Sequence, residues 1–268
     1  MYETKYLYSI HKGQFLDKQD FFVEFERKPF DISGTFRNCH KGKILDRNRN
    51  VVTTEDFKTG KCVVKIPKNG TGTYNYKLDF ICSEEAISLA KKYNNEVAKI
   101  PDKLNFLLPY GARLDYGDNK IVSVEPFLEG EYIKFYNNDG EPYNRYKSLT
   151  AFCHYTWIIN KGRKVITDIQ GIKLNNKFYL TDPACQSLEM KYGESDLGVQ
   201  GLIKFLLYHK CNDICREWKW IDINSYFKLT KNEKASIKNS KYKFQSIIND
   251  KYNKYLEIYQ KCLELIGY

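Results

Sequence analysis

Val165-Ile166-Thr167-Asp168-Ile169-Gln170-Gly171, followed by Leu180-Thr181-Asp182-Pro183, is the stretch on which the fold and chemistry of this chain turn. Its β-type run reads as a strand, and side chains alternate between the faces of a strand, so Asp168 and Gln170 are expected on one face. Asp182 adds a second carboxylate at a turn. Phosphoryl transfer needs such groups: oxygen ligands for Mg²⁺ across the phosphates and a carboxylate near the attacking hydroxyl. The competing account makes Asp168 a surface acid and Asp182 the first residue of an Asp-Pro turn.

Downstream, His209-Lys210-Cys211-Asn212-Asp213-Ile214-Cys215 gathers one imidazole and two thiols, with Cys211 and Cys215 spaced to share a helix face. Zinc takes four soft or borderline ligands in a tetrahedron, so one more is needed. His154, in the apolar segment Ala151–Trp157, is one candidate and Cys153 is its rival. A closed set of four would leave no position for water, which makes the metal structural rather than catalytic. The alternative leaves all of these as ordinary helix-face residues.

Upstream, from Phe21 to Val124, short β-type runs alternate with turn signals and predict a sheet. One helix interrupts it, capped by Ser83 with Glu84 and Glu85 in its first turn, carrying Ala86, Leu89, Ala90, Tyr93 and Val97 on one face and ending before Pro101. Lys65 follows Cys62-Val63-Val64, as the ATP lysine follows a strand in conventional kinases. The glycine-rich loop, HRD segment and DFG of those enzymes are missing, and Gly70 and Gly72 read as a hairpin turn after Lys65. From Tyr132 to Tyr226 a β-rich and then helical region follows. The tail from Phe227 is lysine-rich, with Lys231, Lys234, Lys238 and Lys241 on one helical face. A terminal amphipathic helix through Tyr255, Tyr259 and Leu263 is expected to dock on the body or on a partner.

The chain has 268 residues, 42% hydrophobic and 15% aromatic, enough for one large core or two lobes sharing a cleft. No apolar run of about 18 residues occurs and no secretory leader opens the sequence, so a non-membrane chain is expected. Eight scattered cysteines point to a reducing compartment, hence the cytoplasm. The net charge of +10 favours polyanions, among which ATP, acidic peptides and RNA are not distinguished.

The order of short motifs resembles the alpha-kinase family of atypical protein kinases. The resemblance runs from Pro29-Phe30, Gly34 and Arg37 through Val63-Val64-Lys65 to Val124-Glu125-Pro126-Phe127-Leu128, then Gly130-Glu131-Tyr132 and Lys134. It continues with Asn137-Asn138-Asp139-Gly140, Phe152-Cys153-His154-Tyr155-Thr156, Asp168-Ile169-Gln170-Gly171, Leu180-Thr181-Asp182-Pro183, Asp196-Leu197-Gly198 and His209 through Cys215.

This resemblance implies an α+β, two-lobed alpha-kinase fold with an ATP cleft between the lobes and a zinc-stapled C-lobe. It implies a serine/threonine protein kinase that uses ATP, Mg²⁺ and structural Zn²⁺. Lys65 and Arg37 would contact the ATP phosphates, Glu125 would lie in the hinge beside adenine, and Lys134 and Asn138 would approach the nucleotide. Asp168 would position or deprotonate the substrate hydroxyl, with Gln170 and Asp182 on the Mg²⁺-ATP side. Gly193 and Gly198 would bound the substrate loop, and the zinc set would be His154, His209, Cys211 and Cys215. Which acid pairs with Lys65 is left open by the sequence, with Glu84, Glu85 and Glu96 of the helix as candidates. The expected division is an N-lobe over 1–127, a C-lobe over 128–226 and a basic helical extension over 227–268. A protein substrate is the expected partner. The rival reading is a catalytically weak ATP- or RNA-binding module that uses the basic tail, or a kinase-like fold redirected to another phosphoryl or nucleotidyl transfer.

Overall fold

The structure is a computed structural model that describes the chain outside residues 1, 12–13, 17–21, 31–35, 47, 69–75, 115–120, 224–228 and 240–248. Gly34, Gly70, Gly72 and Lys241 therefore lie outside the described residues. Two compact units divide it, Met1–Ser83 with Leu107–Glu129, and Glu84–Phe106 with Gly130–Tyr268.

The first unit is an antiparallel sheet of β1 (Tyr2–His11), β2 (Gln14–Leu16), β3 (Phe22–Phe25), β4 (Arg37–Leu45), β5 (Lys61–Pro67), β7 (Tyr110–Leu114) and β8 (Ile121–Pro126). The order is β2-β1-β3-β4-β5-β8-β7, and β1 also pairs with β7, so the sheet closes on itself and leaves fewer exposed edges. Alternation sorts its two faces. Val23, Phe25, Ile44, Cys62, Val64, Ala112, Val122 and Val124 form one apolar cluster with Phe57. The intervening residues carry the polar chemistry: Cys39 faces Lys65 across β4 and β5, and Lys65 faces Ser123 across β5 and β8.

Helix α1 (Tyr76–Glu96) starts earlier than the Ser83 cap predicts, and Ser83 lies buried within it. The acid of its first turn is Asp79, which complements the positive helix start and pairs with Arg37. Its added first turns bury Phe80 and Cys82, a packing gain that outweighs the local capping preference of a serine. Four of the five residues of the predicted apolar face, Ala86, Leu89, Ala90 and Tyr93, are buried, whereas Val97 lies past the helix end at Glu96 and is half-buried.

The second unit holds a four-stranded sheet in the order β6 (Lys103–Phe106), β12 (Lys177–Thr181), β11 (Gln170–Leu174), β9 (Ile133–Lys134), and a separate pair, β10 (Lys164–Thr167) with β13 (Ala184–Ser187). Helix α2 (Lys147–Ile159) precedes most of these strands, where the sequence pattern placed helices last. Its residues Ser148 to Trp157 are all buried, so its apolar character on every side marks a core helix.

The described residues of this unit also form helices α3 (Val199–Tyr208), α4 (Lys231–Asn239) and α5 (Asn249–Leu265). The terminal helix docks as its spacing predicts. Tyr255, Tyr259, Cys262 and Leu263 are buried, and the Tyr259 hydroxyl accepts from Trp157 Nε1 (2.7 Å) while donating to the Gly162 carbonyl.

Candidate active site and metal centre

The strand expected to carry both Asp168 and Gln170 is broken between them. β10 ends at Thr167 and β11 begins at Gln170 because the chain leaves one sheet and enters another. The returning arm breaks at the same height. Thr167 pairs with Ala184 on one side of the break and Gln170 with Thr181 on the other, so the arms form one hairpin bent at residues 168–169 and 182–183. Asp168 (φ 52°) and Asp182 (φ 55°) both adopt the left-handed conformation at this bend. Aspartate tolerates that region better than most residues, which suits it to a corner where a strand changes sheets. The two acids share a bend rather than a strand face.

Gln170 closes the arrangement, its side-chain amide reaching the Asp182 carbonyl at 3.4 Å. Its neighbour Gly171 (φ 147°) must be glycine, since a Cβ there would lie 2.1 Å from the Tyr179 carbonyl oxygen. The bend is held from the segment that follows β9: Ile169 O accepts from Phe135 N–H at 2.8 Å and Tyr136 N–H at 3.0 Å, and Asp168 N–H donates to Asn137 O at 3.0 Å. Lys134 Nζ lies 2.8 Å from Asp168 Oδ1. Lys134, expected to approach the nucleotide, contacts the Asp168 carboxylate.

In the first unit, Lys65 Nζ sits 2.7 Å from Glu125 Oε2, both side chains 5% exposed. The question that the sequence left open is answered by Glu125, while of the helix candidates Glu85 pairs with Lys164 and Glu96 accepts from the Tyr155 hydroxyl. Register explains the choice: Ser123 is the cross-strand partner of Lys65, and Glu125 stands two residues farther along the same face. Removing one partner of a buried pair costs about 3–5 kcal/mol because the other charge is left without compensation. Lys65→Met is therefore expected to lower the urea midpoint sharply. Lys65→Met/Glu125→Leu is expected to recover most of the loss; equal midpoints for single and double variants would contradict this.

The metal candidates converge from three segments. His154 comes from the buried face of α2, His209 follows the end of α3, and Cys211 and Cys215 stand in the next loop. Their donor atoms all lie within 4.8 Å of one another. Cys211 Sγ is 3.4 Å from His209 Nε2 and 3.7 Å from His154 Nδ1, and Cys215 Sγ is 3.9 Å from His209 Nε2. A tetrahedron with arms of about 2.0–2.3 Å has edges of about 3.3–3.8 Å, so this donor set fits zinc.

The helix expected to align the two cysteines is absent: the chain turns tightly there, with Cys215 N–H and Arg216 N–H returning to Asn212 O at 3.2 and 2.9 Å. The rival ligand Cys153 is outside the cluster, and burial pushes its thiol up to about 12. His154 Nε2 donates to the Lys219 carbonyl at 2.8 Å, which leaves the Nδ1 lone pair toward the thiols. Burial holds His209 below its ordinary range, hence neutral and able to donate a lone pair. The hydrogen bond with Cys211, followed by those to the imidazoles, holds Cys215 well below the usual thiol range.

The sequence profile of the alpha-kinase family matches residues 32–215. The chain belongs to the alpha-kinase family. It is 32% identical over 208 residues to myosin heavy chain kinase B of Dictyostelium discoideum, covering 75% of this chain and 26% of that protein. Alpha-protein kinase vwkA of the same organism is 30% identical over 167 residues, or 59% of this chain and 27% of that one. The chain thus spans about a quarter of the length of these curated relatives. Among solved structures, the alpha-kinase domain of myosin-II heavy chain kinase A in complex with AMP-PNP matches with a TM-score of 0.62 and 26% identity, over 73% of this chain and 86% of that one.

The family's expected substrate loop, Gly193 to Gly198, is tied down by a buried carboxylate in this alpha-kinase. Asp196 accepts from Ser187 N–H and Gly198 N–H through Oδ1, both at 2.9 Å, and from the Ser187 hydroxyl through Oδ2 at 2.6 Å. Gly193 (φ 82°) and Gly198 (φ 64°) turn the chain at either end of the loop, and α3 begins immediately after it. Asn138 lies in the turn before α2, where its carbonyl accepts from the Thr167 hydroxyl at 2.6 Å.

Sequence reasoning missed the Lys219 carbonyl behind His154 and the rings of Trp218 and Trp220 beside it, 5.5 and 4.9 Å away by ring centroids. A backbone acceptor carries no side-chain signal. The aromatic enrichment of Trp218-Lys219-Trp220 was the one cue available.

Proposed function

We propose that this chain transfers the γ-phosphoryl group of ATP to serine or threonine hydroxyls of a protein substrate. The observation that carries this reading is the bent hairpin, which brings Asp168 and Asp182 to one corner with Gln170 beside them. Membership of the alpha-kinase family and the likeness to a kinase domain complexed with AMP-PNP support it.

In this reading Asp168 accepts the hydrogen bond of the incoming hydroxyl and takes its proton. The substrate oxygen forms the new bond to phosphorus as the bond from γ-phosphorus to the ADP oxygen breaks. Lys134, paired with Asp168, keeps that carboxylate oriented. Asp182 and Gln170 supply oxygen ligands on the Mg²⁺ side, and bound Mg²⁺ offsets phosphate charge. Lys65, held by Glu125, and Arg37, held by Asp79, contribute positive charge for the phosphates. Asn138 and the segment after Glu125 approach the nucleotide, while Gly193 to Gly198 receives the acceptor segment.

His154, His209, Cys211 and Cys215 hold a structural zinc ion that staples the unit containing the bent hairpin. A protein of this kind works in the cytoplasm, in keeping with eight cysteines that stand outside any disulfide. Among the described residues, no helix is long and apolar enough to cross a membrane.

Incubation with Mg²⁺-ATP and a panel of proteins, read by mass spectrometry, is expected to give phosphoserine or phosphothreonine sites. Absence of any phosphate incorporation would overturn the reading.

A further inference from the structure

Gln186, on β13, is fully buried and sits among three segments that the proposed chemistry brings into use. Its Oε1 accepts from the Leu197 N–H at 2.7 Å, which fixes the orientation of the amide. Its Nε2 then faces four acceptors: Asn138 Oδ1 at 2.6 Å, Asn138 O at 2.9 Å, Ser195 O at 3.1 Å and Thr167 Oγ1 at 3.2 Å. An amide has two N–H hydrogens, so these acceptors share them. Thr167 immediately precedes Asp168, and its hydroxyl donates to the same Asn138 carbonyl. The packing admits no slack, since a Cβ on Gly201 would lie 2.3 Å from Gln186 Oε1.

We propose that Gln186 is a positioning residue that sets the 193–198 loop against the Asn138 turn and the Asp168 bend, so that a bound acceptor hydroxyl meets Asp168 in register. Asp196 ties the loop to Ser187 at the end of β13, but it does not reach Asn138 or Thr167 through any of those bonds. Gln186 bridges them. The Asn138 turn keeps separate ties, through the Thr167 hydroxyl and through Lys204 to Asp139. Loss of the glutamine therefore falls on the acceptor loop and spares the nucleotide side.

This inference rests on the kinase reading of Asp168 and of the loop. Its test uses the full chain, the wild type beside Gln186→Met, which keeps volume without hydrogen bonds, and Gln186→Ala. With the phosphoacceptor that the protein panel yields, both variants are expected to raise the acceptor KM roughly tenfold while the ATP KM moves less than about twofold. Hydrogen exchange at the Leu197 amide is expected to quicken by about tenfold or more in both. Parallel loss through kcat with both KM values unchanged, a methionine variant equal to wild type, or unaltered Leu197 exchange would overturn the assignment. Should the wild type transfer no phosphate, the kinase reading falls, and the Leu197 exchange arm still decides whether the amide clamps the loop.

Discussion

Asp168→Asn is expected to reduce phosphate transfer by on the order of 10³-fold while leaving ATP affinity and thermal stability close to wild type. Asparagine suits the test because it keeps the shape of aspartate and also tolerates the φ of 52° that the bend imposes, whereas alanine would add backbone strain. The substitution removes the proton acceptor and the anionic partner of Lys134. That ion pair contributes little to folding, because the Lys134 side chain is 40% exposed and water screens it. Loss of a negative charge near a bound triphosphate does not weaken its binding. Radiolabel transfer to the acceptor, set beside ATP binding by calorimetry, separates the roles. Turnover above about a tenth of wild type would remove Asp168 from its proton-accepting role.

Cys211→Ser is expected to act through the fold. A serine hydroxyl is not ionised at neutral pH and is a harder donor than thiolate, so the tetrahedral set loses a ligand. Zinc binding free energy is folding free energy, and the four donors come from α2, the end of α3 and the following loop, so a bound ion would join segments far apart in sequence. The expected result is a fall from about one zinc per chain toward none, with a melting temperature lower by about 10 °C. Metal analysis by plasma mass spectrometry and calorimetric melting check this, and chelation of the wild type should reproduce the drop. A variant with unchanged zinc content and unchanged melting temperature would show that the cluster is no metal site.

Much of the architecture was legible because it is written at short range. Alternation marked β3, β5 and β8, and helical spacing marked the buried face of α1 and the docking face of α5 through Tyr255, Tyr259 and Leu263. The residue types at positions 168, 170 and 182 suggested oxygen chemistry, and His209 to Cys215 suggested part of a metal-ligand set, whose donors the structure brings together with His154. The start of α1 was misplaced because Ser83 satisfies every local rule for a cap, and only the packing of Phe80 and Cys82 overrides it. The break after Thr167 was hidden because the alternating pattern continues through it while the hydrogen-bonding partner strand changes.

What the sequence determined by itself is the set of elements, the kinds of donor they carry and the family to which the order of motifs belongs. What the tertiary structure alone decided is which of those groups meet. Glu125 pairs with Lys65, His154 and not Cys153 joins the thiols, and Asp168 and Asp182 share a corner between two sheets. The reason is physical: periodicity reports the environment that one face of an element needs, whereas contact between residues far apart in the chain depends on register and on the conformational entropy that packing must overcome.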